Sequence, residues 1–473
     1  MDFQSIPPFK SKPHIAVLTD ICNEPDDAES MTRFLLYANE FNIDALVATT
    51  STWQRTSTHK EEIFKIVDAY GTAVENLNAH VPPSRQYPAA SSLRSVVRSG
   101  LNGFGMSAAR GALSEGTELL IKAIDASELI WVLIWGGSNV LAQALLEVQK
   151  TRSKIELELF TSKIRVYAIS DQDDAGPWVR LHFPKIFYIA SIHAFNYYGM
   201  AAWAGISGET YYGFDHGGPD SSLVTKEWLK TNIQIGPYGS VYPDPVFIPE
   251  GDTPTFLSLI QNGLTDPLQP SWGGWGGRYN LTDLSAESLH YSDAPDSVVG
   301  EDGRTYTSSQ ATIWRWRKAY QGDFAARIQW TLSPEFQSAN HAPVIVLNGD
   351  IGLETLHLKV RFGEIVKLDA SESWDPDGNE LTFKWMHYGE PSATQWTCRF
   401  EVPKLGFEDI SSEKNMGRVQ VRVPGKDDGC MFPLDETKIM KYGPKTYHII
   451  LEVVDNGKFP MRAYRRVLVE VGE

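Results

Sequence analysis

Over residues 14–192, short apolar runs alternate with longer amphipathic stretches, and this alternation constrains the fold more than any other feature. Residues 14–19 (HIAVLT), 43–50 (IDALVATT), 129–135, 164–170 (IRVYAIS) and 186–192 have the length and apolar character of buried strands. Between them Ala28, Met31, Phe34, Leu35, Ala38 and Phe41 recur at helical spacing, as do Ile63, Ile66, Val67, Tyr70 and Val74. A further helix is expected over 139–150. Pro25 suits a first helical position, and Asp26 and Asp27 favour the positive end of that helix. Strands separated by amphipathic helices imply a mainly parallel sheet with right-handed crossovers, an α/β domain.

From about 198 to 280 the pattern gives way to Gly, Pro, Trp and Tyr, and helical signals return at 306–319 and 323–330. Beyond 333–342 the character changes. Residues 343–348, 365–368, 381–387, 419–423, 447–453 and 464–471 alternate apolar and polar side chains, punctuated by Asp375-Pro-Asp-Gly, Pro424-Gly and Asp455-Asn-Gly. Short alternating strands with such turns predict an all-β, immunoglobulin-like sandwich. The expected division is 1–337 for the α/β domain and 338–473 for the sandwich.

Lys and Arg number 43 against 59 Asp and Glu, a formal charge of −16. That balance argues against a nucleic-acid or anionic-membrane partner and permits a neutral ligand or a cation. The run at 129–135 is far too short to span a membrane. The opening MDFQSIPPFKSKPH lacks the apolar core of a signal peptide, so the expected location is cytoplasmic, or secreted with the leader removed. Three cysteines, Cys22, Cys398 and Cys430, make no disulfide framework or zinc spacing, and three reduced thiols are expected, with a Cys398–Cys430 pair open if the chain is exported. A homo-oligomer stays open.

In open parallel sheets ligands bind beyond the carboxyl ends of the strands. After the first strand come Asp20, Asn23, Glu24, Asp26 and Asp27; after the second Thr49, Thr50, Ser51 and Trp53; after the third Gly136, Gly137, Ser138 and Asn139; after the fourth Asp171, Gln172, Asp173 and Asp174. A parallel sheet puts all four loops on one rim, where so many carboxylates require a cation, raised pKa values or wide spacing. Glycines flank Trp272 and Trp275 in PSWGGWGGRY, so both indoles are candidates to stack on pyranose rings, with Arg278 beside them.

The first loop, the ATT strand and WGGSNVLAQAL resemble the nucleoside hydrolases. TDICNEPDDAESMTRFLLYANEF, RVYAISDQDDAGPW, EGDTPTFLSLIQNGL and SWGGWGGRY are more closely similar to the nucleoside-hydrolase-like proteins labelled cellulose-binding, and NHAPVIVLNG, SWDPDGNELTFKW and HIILEVVDNG to the sandwich that follows in them. The resemblance covers nearly the whole chain. It implies a calcium site built from Asp20, Asp27, the Ser138 carbonyl and Asp252, with Asn139 beside it and Asn196 in a segment contacting the sugar. Two positions depart from the nucleoside hydrolases. Cys22 stands where they carry an aspartate that is both metal ligand and general base, and Gly251 replaces a histidine that helps a purine leave. Both departures argue against nucleoside hydrolysis.

The expected activity is therefore glycoside hydrolysis of an O-glycosidic bond in a poly- or oligosaccharide, through an oxocarbenium-like transition state. Glu24, next to the vacated Cys22 position, and Asp173 or Asp174 across the cleft are the expected catalytic carboxyls. Asn23, Asp26, Trp53, Asn139, Asn196, Glu250, Trp272, Trp275 and Arg278 are the expected sugar contacts. The alternatives are a non-catalytic carbohydrate-binding protein and a nucleoside N-ribohydrolase.

Overall fold

The computed structural model describes residues 6–9, 11–191, 197–207, 215, 217–283, 285–392, 402–425 and 445–472. Asn196, Cys398 and Cys430 lie outside them. The chain divides into two compact units, one made of Pro8–Ile260 and Pro267–Ser338, the other of Met1–Pro7, Gln261–Asp266 and Ala339–Glu473.

The first unit is built on an eight-stranded sheet of order β3-β2-β1-β4-β5-β6-β8-β7. Its strands are β1 (His14–Thr19), β2 (Asn42–Ala48), β3 (Val97–Ser99), β4 (Ile130–Ile134), β5 (Ile164–Ser170), β6 (Phe187–Ser191), β7 (Tyr279–Leu281) and β8 (His290–Asp293). All neighbours pair in parallel except β7 with β8. The chain winds from β1 out to β3, then returns to β4 beside β1. The sheet thus reverses direction between β1 and β4, the place where open α/β sheets form a crevice. Helices α1 (Asp26–Leu35), α2 (Lys60–Gly71), α3 (Glu115–Ala126), α4 (Asn139–Thr151), α5 (Lys154–Ser162), α6 (Ala175–His182) and α7 (Arg317–Trp330) pack around it. Val132, Ile134, Val166 and Ala168 of the central strands meet Val140, Leu141, Ala144 and Leu145 of α4 in one core. Each such aliphatic side chain contributes about 1.5–3 kcal/mol by leaving water.

The helical signal expected over 306–319 resolves differently. Tyr306 lies in the strand β10 (Thr305–Ser308), paired with β9 (Asp296–Val299), and the helix α7 runs unbroken from Arg317 to Trp330. The strand β3, the helix α3 and the hairpin β7–β8 add to the expected elements; α3 buries Leu120, Ala123 and Ile124 at helical spacing.

The second unit has a four-stranded sheet of order β13-β19-β18-β15 and a three-stranded sheet of order β14-β17-β16. These strands are β13 (Leu356–Arg361), β14 (Ile365–Asp369), β15 (Thr382–Tyr388), β16 (Phe407–Asp409), β17 (Arg418–Arg422), β18 (Lys445–Val454) and β19 (Arg462–Gly472); a small pair, β11 (Val346–Leu347) and β12 (Asp350–Ile351), precedes them. Val366, Leu368, Val419 and Val421 from one sheet and Ile449, Leu451, Val467 and Val469 from the other form a single core. The segment Gln261–Asp266 belongs here because Tyr464 and Arg466 of β19 donate their N–H groups to the carbonyls of Asn262 (2.8 Å) and Gly263 (3.1 Å). Gly263 has φ +84°, and a Cβ there would collide with the Tyr464 carbonyl, so only glycine fits.

Candidate functional site

The loop after β1 brings carboxylates to the β1/β4 crevice by an irregular turn. Cys22 at its apex has φ 87°, a left-handed conformation that costs a non-glycine residue on the order of 1 kcal/mol. The Asn23 N–H closes the turn on the Asp20 carbonyl (3.2 Å), and α1 then starts at Asp26. Thr19 donates its hydroxyl to Asp27 and accepts the Ile21 N–H (3.1 Å), which fixes Asp27 over the end of β1. The turn after residue 250 adds Asp252. Oxygens of Asp26, Asp27 and Asp252 lie within 4.8 Å of one another, forming an acid pit in which Asp27 and Asp252 are buried. Oδ2 of Asp252, 1% exposed, has no hydrogen-bond partner among the described residues.

Asp20 is buried against this group and receives a hydrogen bond from the Ser51 side chain. Burial, followed by the charges of its neighbours, raises all of these acids: Asp20 to about 6, Asp26 to about 8, and Asp27 and Asp252 well above the usual carboxylate range. Glu24, half-buried at the edge of the pit, is also raised by burial, and its charge is felt by Asp20, Asp26, Asp27 and Asp252. The Cys22 thiol is exposed, and partial burial and nearby acids push it up.

Asp26, Asp27 and Asp252 are the carboxylates close enough to share one ion, and Asp20, part of the set implied by the resemblance, is buried beside them. A Cβ on Gly251 would stand 2.8 Å from Asp26 Oδ2, so the missing side chain makes room for that carboxylate. A histidine at 251 would displace it. Ser138 is buried, and its carbonyl accepts the Ala142 N–H (3.0 Å) in the first turn of α4.

Other expected contacts have structural partners. Asp173 Oδ1 receives the Ala175 (2.9 Å) and Gly176 (3.4 Å) N–H groups at the start of α6, while burial raises its carboxyl to about 6. Its Oδ2 is packed so close to Gly137 that a Cβ there would come within 2.5 Å. Asp174 Oδ1 accepts the Met106 N–H (2.7 Å) and caps the short helix Gly105–Ala109. Asp171 forms a two-pronged pair with Arg180 (2.8 and 2.6 Å). Asn139 is buried, its amide bridging Thr50 Oγ1 (2.9 Å) and the Gly103 carbonyl (2.8 Å). Glu250 is buried, with its oxygens on Arg33 (2.6 Å) and the Tyr242 hydroxyl (3.0 Å), and it braces the turn that carries Asp252. Arg278 is buried in an ion pair with Asp296 (2.7 Å). Trp275 is 1% exposed and meets Tyr320 edge-on, as core. Asp173 Oδ2 and Asn139 Oδ1 are nevertheless buried without a hydrogen-bond partner among the described residues. Glycines around Trp275 relieve backbone crowding, since a Cβ on Gly276 would come within 2.4 Å of the Pro254 carbonyl. Trp272 is half-buried, Asn23 half-buried, and Trp53 exposed.

Sequence reasoning missed Tyr198 and Trp203, which lie in the irregular 198–280 stretch. Trp203 donates its indole N–H to Ser170 Oγ (3.3 Å) at the end of β5. Their only signal was the aromatic richness of that stretch.

The geometry has counterparts among known proteins. Residues 14–279 match the family model described as cellulose-binding Sde182, nucleoside hydrolase-like domain, and residues 365–471 match the C-terminal domain of cellulose-binding protein Sde0182. The fold is similar to that of a nucleoside hydrolase-related hypothetical protein from Saccharophagus degradans that is associated with carbohydrate metabolism. That likeness has 31% identity and a TM-score of 0.77, and it covers 98% of this chain and 100% of that one. A superposition on the effector protein XOO4466, at 10% identity over 70% of this chain and 95% of that one, has a TM-score of 0.30, too low to indicate a shared fold. No curated protein matches. An α/β sheet with an acid pit at its switch point, a following sandwich and both family matches place this chain in the cellulose-binding Sde182 family of nucleoside hydrolase-like proteins.

Proposed function

We propose that the chain is a glycoside hydrolase that cleaves an O-glycosidic bond of an oligo- or polysaccharide at the β1/β4 crevice. The observation that carries this reading is the convergence of Asp20, Asp26, Asp27 and Asp252 with the half-buried Glu24 at one point of the rim. The family description and the solved relative's association with carbohydrate metabolism favour a sugar as the ligand.

Glu24 protonates the departing sugar oxygen, which an acid raised by burial is suited to do. Asp173 and Asp174 hold helix N-termini, so the second role passes to Asp20, which accepts a proton from the attacking water. Asp26, Asp27 and Asp252 would hold a hard divalent cation, Ca2+, for which three carboxylates and an unpartnered buried oxygen are the appropriate donors. When bound, that ion supplies positive charge to the pit and orients sugar hydroxyls.

A non-catalytic carbohydrate-binding role is the second reading, favoured by Cys22 standing where the resemblance places a carboxylate base. Incubation with a panel of glycans and nucleosides, followed by mass-spectrometric product analysis, separates the two. Glycan cleavage lost in Glu24→Gln supports the hydrolase; a glycan that binds and is never cleaved supports the binding protein.

A further inference from the structure

Three aromatic rings lead away from the acid pit. Trp203, 4% exposed, lies at its floor: its ring edge is 3.4 Å from where a Cβ of Gly251 would stand, the same position that lies 2.8 Å from Asp26 Oδ2. Tyr198, half-buried, follows at 5.7 Å between ring centroids, close enough to Asp20 and Glu24 to feel their charges. Trp53 follows Tyr198 at 6.2 Å and is 59% exposed. Exposure thus rises steadily from floor to rim.

The outermost ring is tied to the acids by one residue. Ser51 hydrogen-bonds Asp20, and its Oγ accepts the backbone N–H groups of Trp53 (3.0 Å) and Gln54 (3.2 Å). The Gln54 amide donates to the Asp20 carbonyl (3.2 Å). A large, mostly exposed ring, packed on Tyr198 on one side, is therefore held at a fixed place relative to the carboxylates.

We propose that Tyr198 and Trp53, the two outer rings, form a strip of pyranose-binding positions running out of the acid pit, so that the ligand is an extended oligosaccharide whose second and later rings stack on them. The proposal rests on the reading of the pit as a glycoside site.

The test is calorimetric titration of the full chain with glucose and with β-1,4-linked di-, tri- and tetrasaccharides, and in parallel with inosine and uridine. Affinity is expected to rise about tenfold for each added ring that stacks. Trp53→Ala should remove most of that gain with chain length, Trp53→Phe should restore it, and Tyr198→Ala should remove it one ring earlier. Equal melting temperatures of Trp53→Ala and the parent establish that the fold is intact. A gain with chain length that Trp53→Ala leaves untouched overturns the strip and leaves the glycoside reading standing. Absence of binding by every saccharide overturns both. Nucleoside binding that weakens in Trp53→Ala, with saccharides inert, makes the strip a base-stacking site instead.

Discussion

At the sandwich turn of residues 375–379 the carboxylates are met by donors. Asp375 Oδ1 accepts the N–H groups of Asp377 (2.9 Å) and Asn379 (3.0 Å), Asp377 takes the N–H and ring of His341 (2.7 and 2.8 Å), and Asp455 accepts from Gly457 (2.8 Å), Met461 (2.9 Å) and the Asn340 amide (2.8 Å). In the acid pit the carboxylates crowd one another, with backbone donors at Asp20 and Asp26 and few others. Thr19 serves Asp27, Ser51 serves Asp20, and Asp252 Oδ2 has nothing among the described residues. The residue type is the same in both places. Backbone donors turn acids into fasteners for a loop, and their scarcity leaves acids that only a ligand, a proton or a cation can satisfy.

The change expected to matter most is Glu24→Gln, which keeps the shape of the pit edge and removes its exchangeable proton. Turnover of a cleaved glycan should fall by about 10²–10⁴-fold with little change in binding. Parental turnover by this variant would move Glu24 into the class of fasteners.

Next is Asp252→Asn. With calcium at about a hundred times its dissociation constant, the parental chain should gain about 2.7 kcal/mol of stability. The gain should vanish with a chelator or in this variant. Thermal unfolding with and without calcium reads the difference, and a melting temperature indifferent to calcium in the parent would remove the cation from the pit.

Legibility in the sequence follows the same contrast. The parallel sheet was readable because β1, β4 and β5 are continuous apolar runs and their helices carry clean stripes. The rim was readable because the topology rule sends every strand end to one edge. The partners were not. That Glu250 would face Arg33, 217 residues away, or that Arg278 would face Asp296, depends on side-chain meetings no local pattern records. Trp275 looked like a platform because its glycine neighbours suggest open space, whereas they make room for backbone pressed against Pro254 and Ser258. The strand β13 carries a strict apolar/polar alternation, LHLKVR, so its strand character is legible, whereas its parallel pairing with β19 spans more than a hundred residues and is not.

Asp174 tests whether position on the rim or supply of donors decides an acid's role. It follows β5, as a catalytic carboxyl would, yet its oxygen is occupied by the Met106 N–H. Asp174→Ala should cost about 1 kcal/mol of stability as a lost cap and leave turnover within a few-fold of the parent. A turnover loss as deep as that of Glu24→Gln, at unchanged stability, would return Asp174 to the chemistry.

The smallest effect is expected at Asp375, where a fastener still carries a penalty. Burial first, then the charges of Asp377 and Asp455, raise its carboxyl from 3.8 to about 6, and its Oδ2 is buried without a partner among the described residues. Between those two pH values the folded state holds more proton than the unfolded chain, so stability falls as pH rises through that window. Asp375→Asn leaves an oxygen for the Asp377 and Asn379 N–H groups and removes the titration. Urea unfolding at pH 4, 5, 6 and 7 should therefore show the variant gaining on the parent as pH rises, by a change of slope rather than a large shift of midpoint. Asp455, also raised by burial, keeps part of the slope in both proteins. Identical slopes would mean that the donors at this turn fully offset the burial of its charge.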